Sequence, residues 1–543
     1  MCKRELSPLL VLTLLAGCAG HITDMGSPPP DPLAVSVLTQ HNDNTRAGWN
    51  DHETILTTSN VNVAHFGALF SLAVDDHVYA QPLVVANVAI GNGYRNVVYI
   101  ATVNNTVYAF DGDNGRLYWK RNFTAAGMRP PKASDMTGAC GGNYVNFSGN
   151  IGIVGTPVID AARQTMYFVS RSTVTGGLYV QDLHAVDIVT GGDVAGSPVR
   201  ITAAVAGNGD GSQNNVVSFD AQKANQRQGL TLANGVVYVT FASHCDWGPY
   251  HGWILGYDAA TLARRSIYND TPNGGAGGMW ESGMGMAVDG QGALYIVTGN
   301  GTVGDSADPT ALINRGSSAL KLTPTLQIAS YFTPSNFQYL NDNDLDYGTM
   351  GSFLIPNSNL FLTATKEGIL YLLDRDNMGG WNAGSNQVRQ TYQLPSSANM
   401  HCQPAYYGGT NEFVYVWAEN DVLRAIPFDR ASSLLNQAGE IDGNTGPTGQ
   451  HGAMLSVSSN GTAPGTAILW ASYPYSGDAE SFVTPGVLRA FDANDVTKEL
   501  WNNRQFLSRD GSGNYAKFSS PTIANGHVYL PTFSGKVVVY GLQ

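Results

Sequence analysis

Cysteine is scarce in this chain. Of five, Cys2 and Cys18 lie near the start, leaving Cys140, Cys245 and Cys402 for the body. No Cys-x-x-Cys-His stretch occurs, which excludes a covalent c-type haem, and no cysteine spacing suits zinc. An oxidising compartment allows one disulfide among the three, and which two pair is open at this stage. Charge is also thin: 13% of residues are charged, with a formal net charge of −13. That balance argues against nucleic acid or anionic lipid headgroups as partners. Beyond the first residues, no apolar run is long enough to cross a bilayer. Gly-x-Ser-x-Gly and P-loop motifs are missing, which removes the hydrolase and nucleotide readings those motifs carry.

The start of the chain has a purpose of its own. Lys3 and Arg4 precede the apolar run Leu9–Leu15, which ends in Ala16-Gly17-Cys18. A charged start, a short apolar segment and small residues before a cut site describe an export signal over 1–17. The Leu15-Ala16-Gly17-Cys18 ending resembles the lipobox of bacterial lipoproteins, implying lipidation at Cys18. Ala19 after the cysteine resembles the pattern sorted to the outer membrane. Residues 18–35, with Pro28-Pro29-Pro30 and Pro32, read as an extended tether. The membrane is thus expected to hold the protein only through its lipid.

The rest, 36–543, is rich in glycine and tyrosine and reads as a repeat. The stretch VYAFDGDNGRLYW (107–119) sets the unit: an apolar strand, a turn over Asp111–Gly115, and a second strand ending in Trp119. Asp can hydrogen-bond amides two residues on, and glycine takes positive φ freely, so this is a hairpin. A calcium loop is excluded, because the later ligands are missing. Strand pairs and hairpins of this kind recur from 79–119 through 404–429 and 454–501 to 519–542, giving eight copies. The eighth lacks one strand, and the segment 66–83 starts with an apolar one that can supply it. The expected fold is therefore all-β: an eight-bladed β-propeller of four-stranded blades, closed by the N-terminal strand joining the last blade, which leaves no free sheet edge.

The spacing Ala109-x-Asp111-x-x-x-Gly115-x-x-x-Trp119 resembles the tryptophan-docking repeat of quinoprotein-type eight-bladed propellers; Ala185-Val-Asp187…Gly191 and Ala490-Phe-Asp492…Trp501 match it in part. The resemblance implies that fold. It does not select a function. The family includes dehydrogenases using pyrroloquinoline quinone (PQQ) with calcium, and also cofactor-free propellers, among them a lipoprotein that helps assemble outer-membrane β-barrels.

In a propeller the first strand of each blade lines the central channel. The loops entering those strands, 124–150, 203–226, 335–347, 437–449 and 503–517, are the long ones. They are expected on one face around a funnel. That places Gln81, Arg227, Trp280, Glu281, His401 and His451 as ligand-binding candidates at the channel mouth, with Trp280 as a stacking face. Arg227, Glu281 and Asp246 can be cast as a quinone and calcium set; His401, Cys402 and His451 as a transition-metal set. Asp342, Asp344 and Asp346 alternate in one entry loop, a spacing that can wrap calcium. Cys140 and Cys245 fall on this same face.

The first functional expectation is a lipid-anchored binding or scaffolding propeller of the cell envelope, presenting its loops to a protein, peptide or glycan. On that reading no cofactor is expected. The alternative is a PQQ- and calcium-dependent dehydrogenase of alcohols or sugars.

Overall fold

The computed structural model describes Met1 and residues 30–395, 399–446 and 449–543. The expected export signal, Cys18 and nearly all of the tether lie outside the described residues.

Eight antiparallel blade sheets follow one another along the chain, with a separate two-stranded hairpin of Ala204–Ala206 and Val216–Ser218. The first blade runs Leu83–Ile90, Gly93–Ala101, Thr106–Asp111 and Leu117–Asn122, in that order outward. Its inner strands are flanked by neighbouring blades on both faces, so Val97–Ala101 and Thr106–Asp111 are buried without alternation. The outermost strand, Leu117–Asn122, is partly exposed along its length. This is why the middle strands read as continuous apolar runs and the outer ones as mixed. The last blade closes as expected, with Phe66–Ala73 pairing antiparallel to Lys536–Leu542.

The hairpin at 107–119 works as its residues suggest. The Asp111 carboxylate accepts from the Asp113 amide at 3.0 Å, and Gly115 sits at φ 75°. Trp119 pairs across from Ala109 and donates its indole N–H to Ile188 O at 3.0 Å. Its ring covers Gly191 of the next blade so closely that a Cβ there would lie 2.7 Å from it. One blade's tryptophan therefore requires the next blade's glycine.

The segment 37–53 does something the repeat does not show. It enters beside the first-to-second-strand turns, where Asn87 and Asn525 side chains accept from the Asp31 and Val35 amides. It then circles inside the channel and meets the innermost strand of each blade in turn. Val37 exchanges hydrogen bonds with Val84, and Leu38 O accepts from Ile159 N. Asn44 donates to Leu232 O and accepts from Val288 N. Thr45, Ala47 and Gly48 carbonyls accept from Leu354, Tyr406 and Val457. Asn50 donates to Ile523 O and closes the circuit. Arg46, fully buried, donates to Met286 O, Thr39 Oγ1, Gln40 O and Thr231 Oγ1 at 2.6–3.0 Å. This hub plugs one end of the channel. The funnel occupies the other.

Candidate functional site

The long entry loops converge, with the second-to-third-strand loops, on the open end. They enclose a cavity of about 300 Å³ lined by Arg227, Trp280, Lys366, His401, Lys517 and Phe518, among others. The roof comes from 133–148, stapled by a Cys140–Cys245 disulfide with Cα atoms 5.4 Å apart. Cys402 stays free and buried, its thiol pushed up by that burial, with the nearby Glu419 charge adding to the shift. Several residues here take positive φ: Cys140, Cys245, Asp246, Asp344 and Phe518 lie between 48° and 61°. Such non-glycine residues persist where the surroundings over-determine them, commonly at functional sites.

Arg227 is the centre of this arrangement. Its guanidinium carbon stands 4.1 Å from the Phe518 ring centroid and 5.7 Å from that of Trp280. It donates to Trp280 O at 3.1 Å, while its Nε is buried without a partner. It forms no salt bridge with a carboxylate among the described residues. Burial holds the guanidinium below its ordinary value, partly offset by the Glu480 charge. Lys517 beside it donates to Ala479 O and Glu480 O, and burial lowers its ammonium to about 8.

Two histidine–glutamate pairs stand side by side, their imidazoles 6.1 Å apart in T-shaped contact. His451 is fully buried and meets Glu480 Oε2 through Nε2 at 2.6 Å. Burial outweighs that partner and lowers the imidazole to about 4. Burial alone would raise Glu480, but Lys517 and the two histidines hold it below the usual carboxylate range. His401 meets Glu419 Oε1 through Nδ1 at 2.7 Å, and its ring lines the cavity.

The other expected residues fall elsewhere. Gln81 lies in the channel wall below the funnel, accepting from His41 N and donating to Thr522 Oγ1. Glu281 is 1% exposed and accepts from Val297 N and Ser352 N, with burial raising its carboxyl well above the ordinary value. Asp342 is exposed and accepts from Gln338. Asp344 and Asp346 do come to the cavity, but the Lys366 ammonium lies 3.3 and 2.6 Å from them, where the calcium expectation needs an ion. No cluster of three or more ligating side chains occurs among the described residues. The transition-metal set does not assemble either, because Cys402 is sealed away and both imidazoles face glutamates.

Lys366, Glu419 and Glu480 were missed by looking only at strand starts. All three sit in loops between second and third strands, which share the funnel face.

No family model matches the chain, and no curated protein matches it. Solved structures do. A quinohemoprotein alcohol dehydrogenase from Comamonas testosteroni superposes over 93% of this chain and 80% of its own, at 15% identity and a TM-score of 0.57. This is the eight-bladed fold of the quinoprotein dehydrogenases. A quinohemoprotein alcohol dehydrogenase from Pseudomonas putida HK5 covers the same shares at 14% identity and a TM-score of 0.57. A europium-containing methanol dehydrogenase matches over 94% of this chain and 98% of its own, at 12% identity and a TM-score of 0.58. At such identities the likeness to quinoproteins is one of fold.

Proposed function

We propose that this is a binding propeller whose funnel takes a small, planar organic anion. The observation that carries the reading is Arg227: a desolvated cation between two aromatic rings, without a carboxylate partner, on the wall of a closed-bottomed cavity. A buried unpaired charge is costly, so an anionic ligand is the natural complement. Trp280, part-buried at the cavity wall, supplies an aromatic surface for a flat ring. PQQ, a planar tricarboxylate, meets these requirements in its organic part. The carboxylates, in contrast, are already committed: Asp346 to Lys366, Glu281 to backbone amides, Asp246 to the Tyr250 hydroxyl and Glu480 to His451, and among the described residues they offer no calcium cage.

The second reading, a quinone-linked dehydrogenase, is favoured by the fold of the similar structures and by Trp280 and Lys366 lining one cavity. A bound quinone would supply the electron sink; Arg227 and Lys366 would orient its carboxylates or carbonyls. The envelope reading adds anchoring through Cys18 and loops offered to a protein, peptide or glycan. A Cys18→Ser chain released from the membrane fraction would support the anchor.

The deciding experiment is calorimetric titration of PQQ into the purified protein, with and without calcium. Micromolar or tighter binding that is lost in Arg227→Ala supports the reading. Absence of heat for PQQ and for simple aromatic carboxylates alike would end it.

A further inference from the structure

The two histidine–glutamate pairs differ in one respect that bears on chemistry. In the inner pair, His451 is sealed on all sides. In the outer pair the carboxylate is the sealed member: the Glu419 side chain is 3% exposed and His401 17%. A carboxylate accepts only, so the proton of the 2.7 Å contact sits on His401 Nδ1. That leaves the Nε2 lone pair on a ring lining the cavity, without a protein partner among the described residues. A buried carboxylate that fixes the tautomer of an imidazole, with the free nitrogen turned to a ligand space, is the arrangement of a general base and its orienter.

We infer that His401 is the acid–base residue of the funnel, that Glu419 is its positioning residue, and that the ligand class is a planar organic molecule with an ionisable hydroxyl of phenol or hydroquinone type. The inference rests on the anion-binding reading of the same cavity. The step is a proton transfer: the ligand O–H bond breaks, an N–H bond forms at His401 Nε2, and the oxygen keeps the electron pair. The resulting oxyanion lies in a cavity whose wall carries Arg227, still without a carboxylate partner. The Glu419 carboxylate, 2.7 Å from Nδ1, faces the imidazolium as it forms and keeps the ring turned to the cavity. The groups around His401 are consistent with this direction. His451 is held neutral by burial, the Cys402 thiol is pushed up, and Glu480 is matched by Lys517.

The probe is 4-nitrophenol, a planar phenol that ionises near neutrality and changes colour when it does. Binding is followed calorimetrically, and the phenolate band of the bound probe is recorded against pH. In the wild-type protein the band persists below the pH at which free probe loses it. In His401→Gln the band at slightly acidic pH falls about tenfold more than affinity for benzoate, which has no proton to give. Glu419→Gln lowers the band in the same direction, and Glu419→Asp restores part of it. Retention of the wild-type band and pH profile in His401→Gln, with binding still sensitive to Arg227→Ala, overturns the inference and leaves the anion site standing. Failure of wild-type protein to bind either nitrophenol or benzoate overturns both.

Discussion

Two arginines mark the two ends of the channel, and they are built in opposite ways. Arg46, in the hub, donates to carbonyls and hydroxyls through every nitrogen it has. Arg227, in the funnel, makes one hydrogen bond among the described residues, rests on two rings and has an Nε without a partner there. Both are desolvated, and burial lowers both; Arg46 stands at about 10, still charged at neutral pH. A buried polar group that is fully satisfied specifies structure, whereas one left short of partners marks a place where something else completes it. The hub end is spent on holding eight blades together. The funnel end is held in readiness.

That contrast can be broken. Arg46→Ala strands at least four acceptors from three parts of the fold, and a loss on the order of 4 kcal/mol is expected in chemical denaturation. A loss under 1 kcal/mol would mean the hub is dispensable. Removing the roof staple with Cys140→Ser and Cys245→Ser costs about 4–5 kcal/mol, because the bond closes a loop of 105 residues. It should also weaken ligand binding, since Tyr144, Asn146 and Phe147 of the roof line the cavity; unchanged affinity would show that the roof needs no staple.

Acid tests the blade interior, where His184 stacks on Phe168, together with the funnel. His184 and His451 are held neutral at about 4 by burial, each below the ordinary 6.5. Between those values the unfolded chain takes up protons more readily, so stability is full above 6.5 and falls as pH drops through the window. At pH 5 about 2 kcal/mol per histidine is expected to be lost, and a flat profile from pH 7 to 5 would contradict it.

Arg227→Ala sharpens the comparison from the other side. It should change stability by less than about 1 kcal/mol, or raise it, while abolishing anion binding. A large destabilisation would make Arg227 a second Arg46. Asp342→Asn marks the small end of the scale: the side chain is exposed, and a change within about 0.5 kcal/mol is expected, with no effect of added calcium on melting.

Much of this was legible in the residues. The repeat gave eight blades and the closing strand because hairpin turns and aromatic docking recur at readable spacings. Arg227, Trp280 and His401 were legible because a strand start in a propeller has a known direction. Glu281 and Gln81 obey the same rule yet sit a step too deep, taken up by backbone amides and by the hub. Lys366, Glu419 and Glu480 were hidden because single charged residues in short loops carry no pattern. The hub was invisible for a plainer reason: residues 37–53 have no periodicity, since they match eight different strands rather than one another.

The hub's entry point also fixes the face from which the upstream chain arrives. The chain comes in beside Asn87 and Asn525, on the plugged side. If the segment upstream is tied to a surface, the molecule stands on that surface like a cup on its foot. Its mouth then faces away, and it fills from the open medium rather than from whatever holds it.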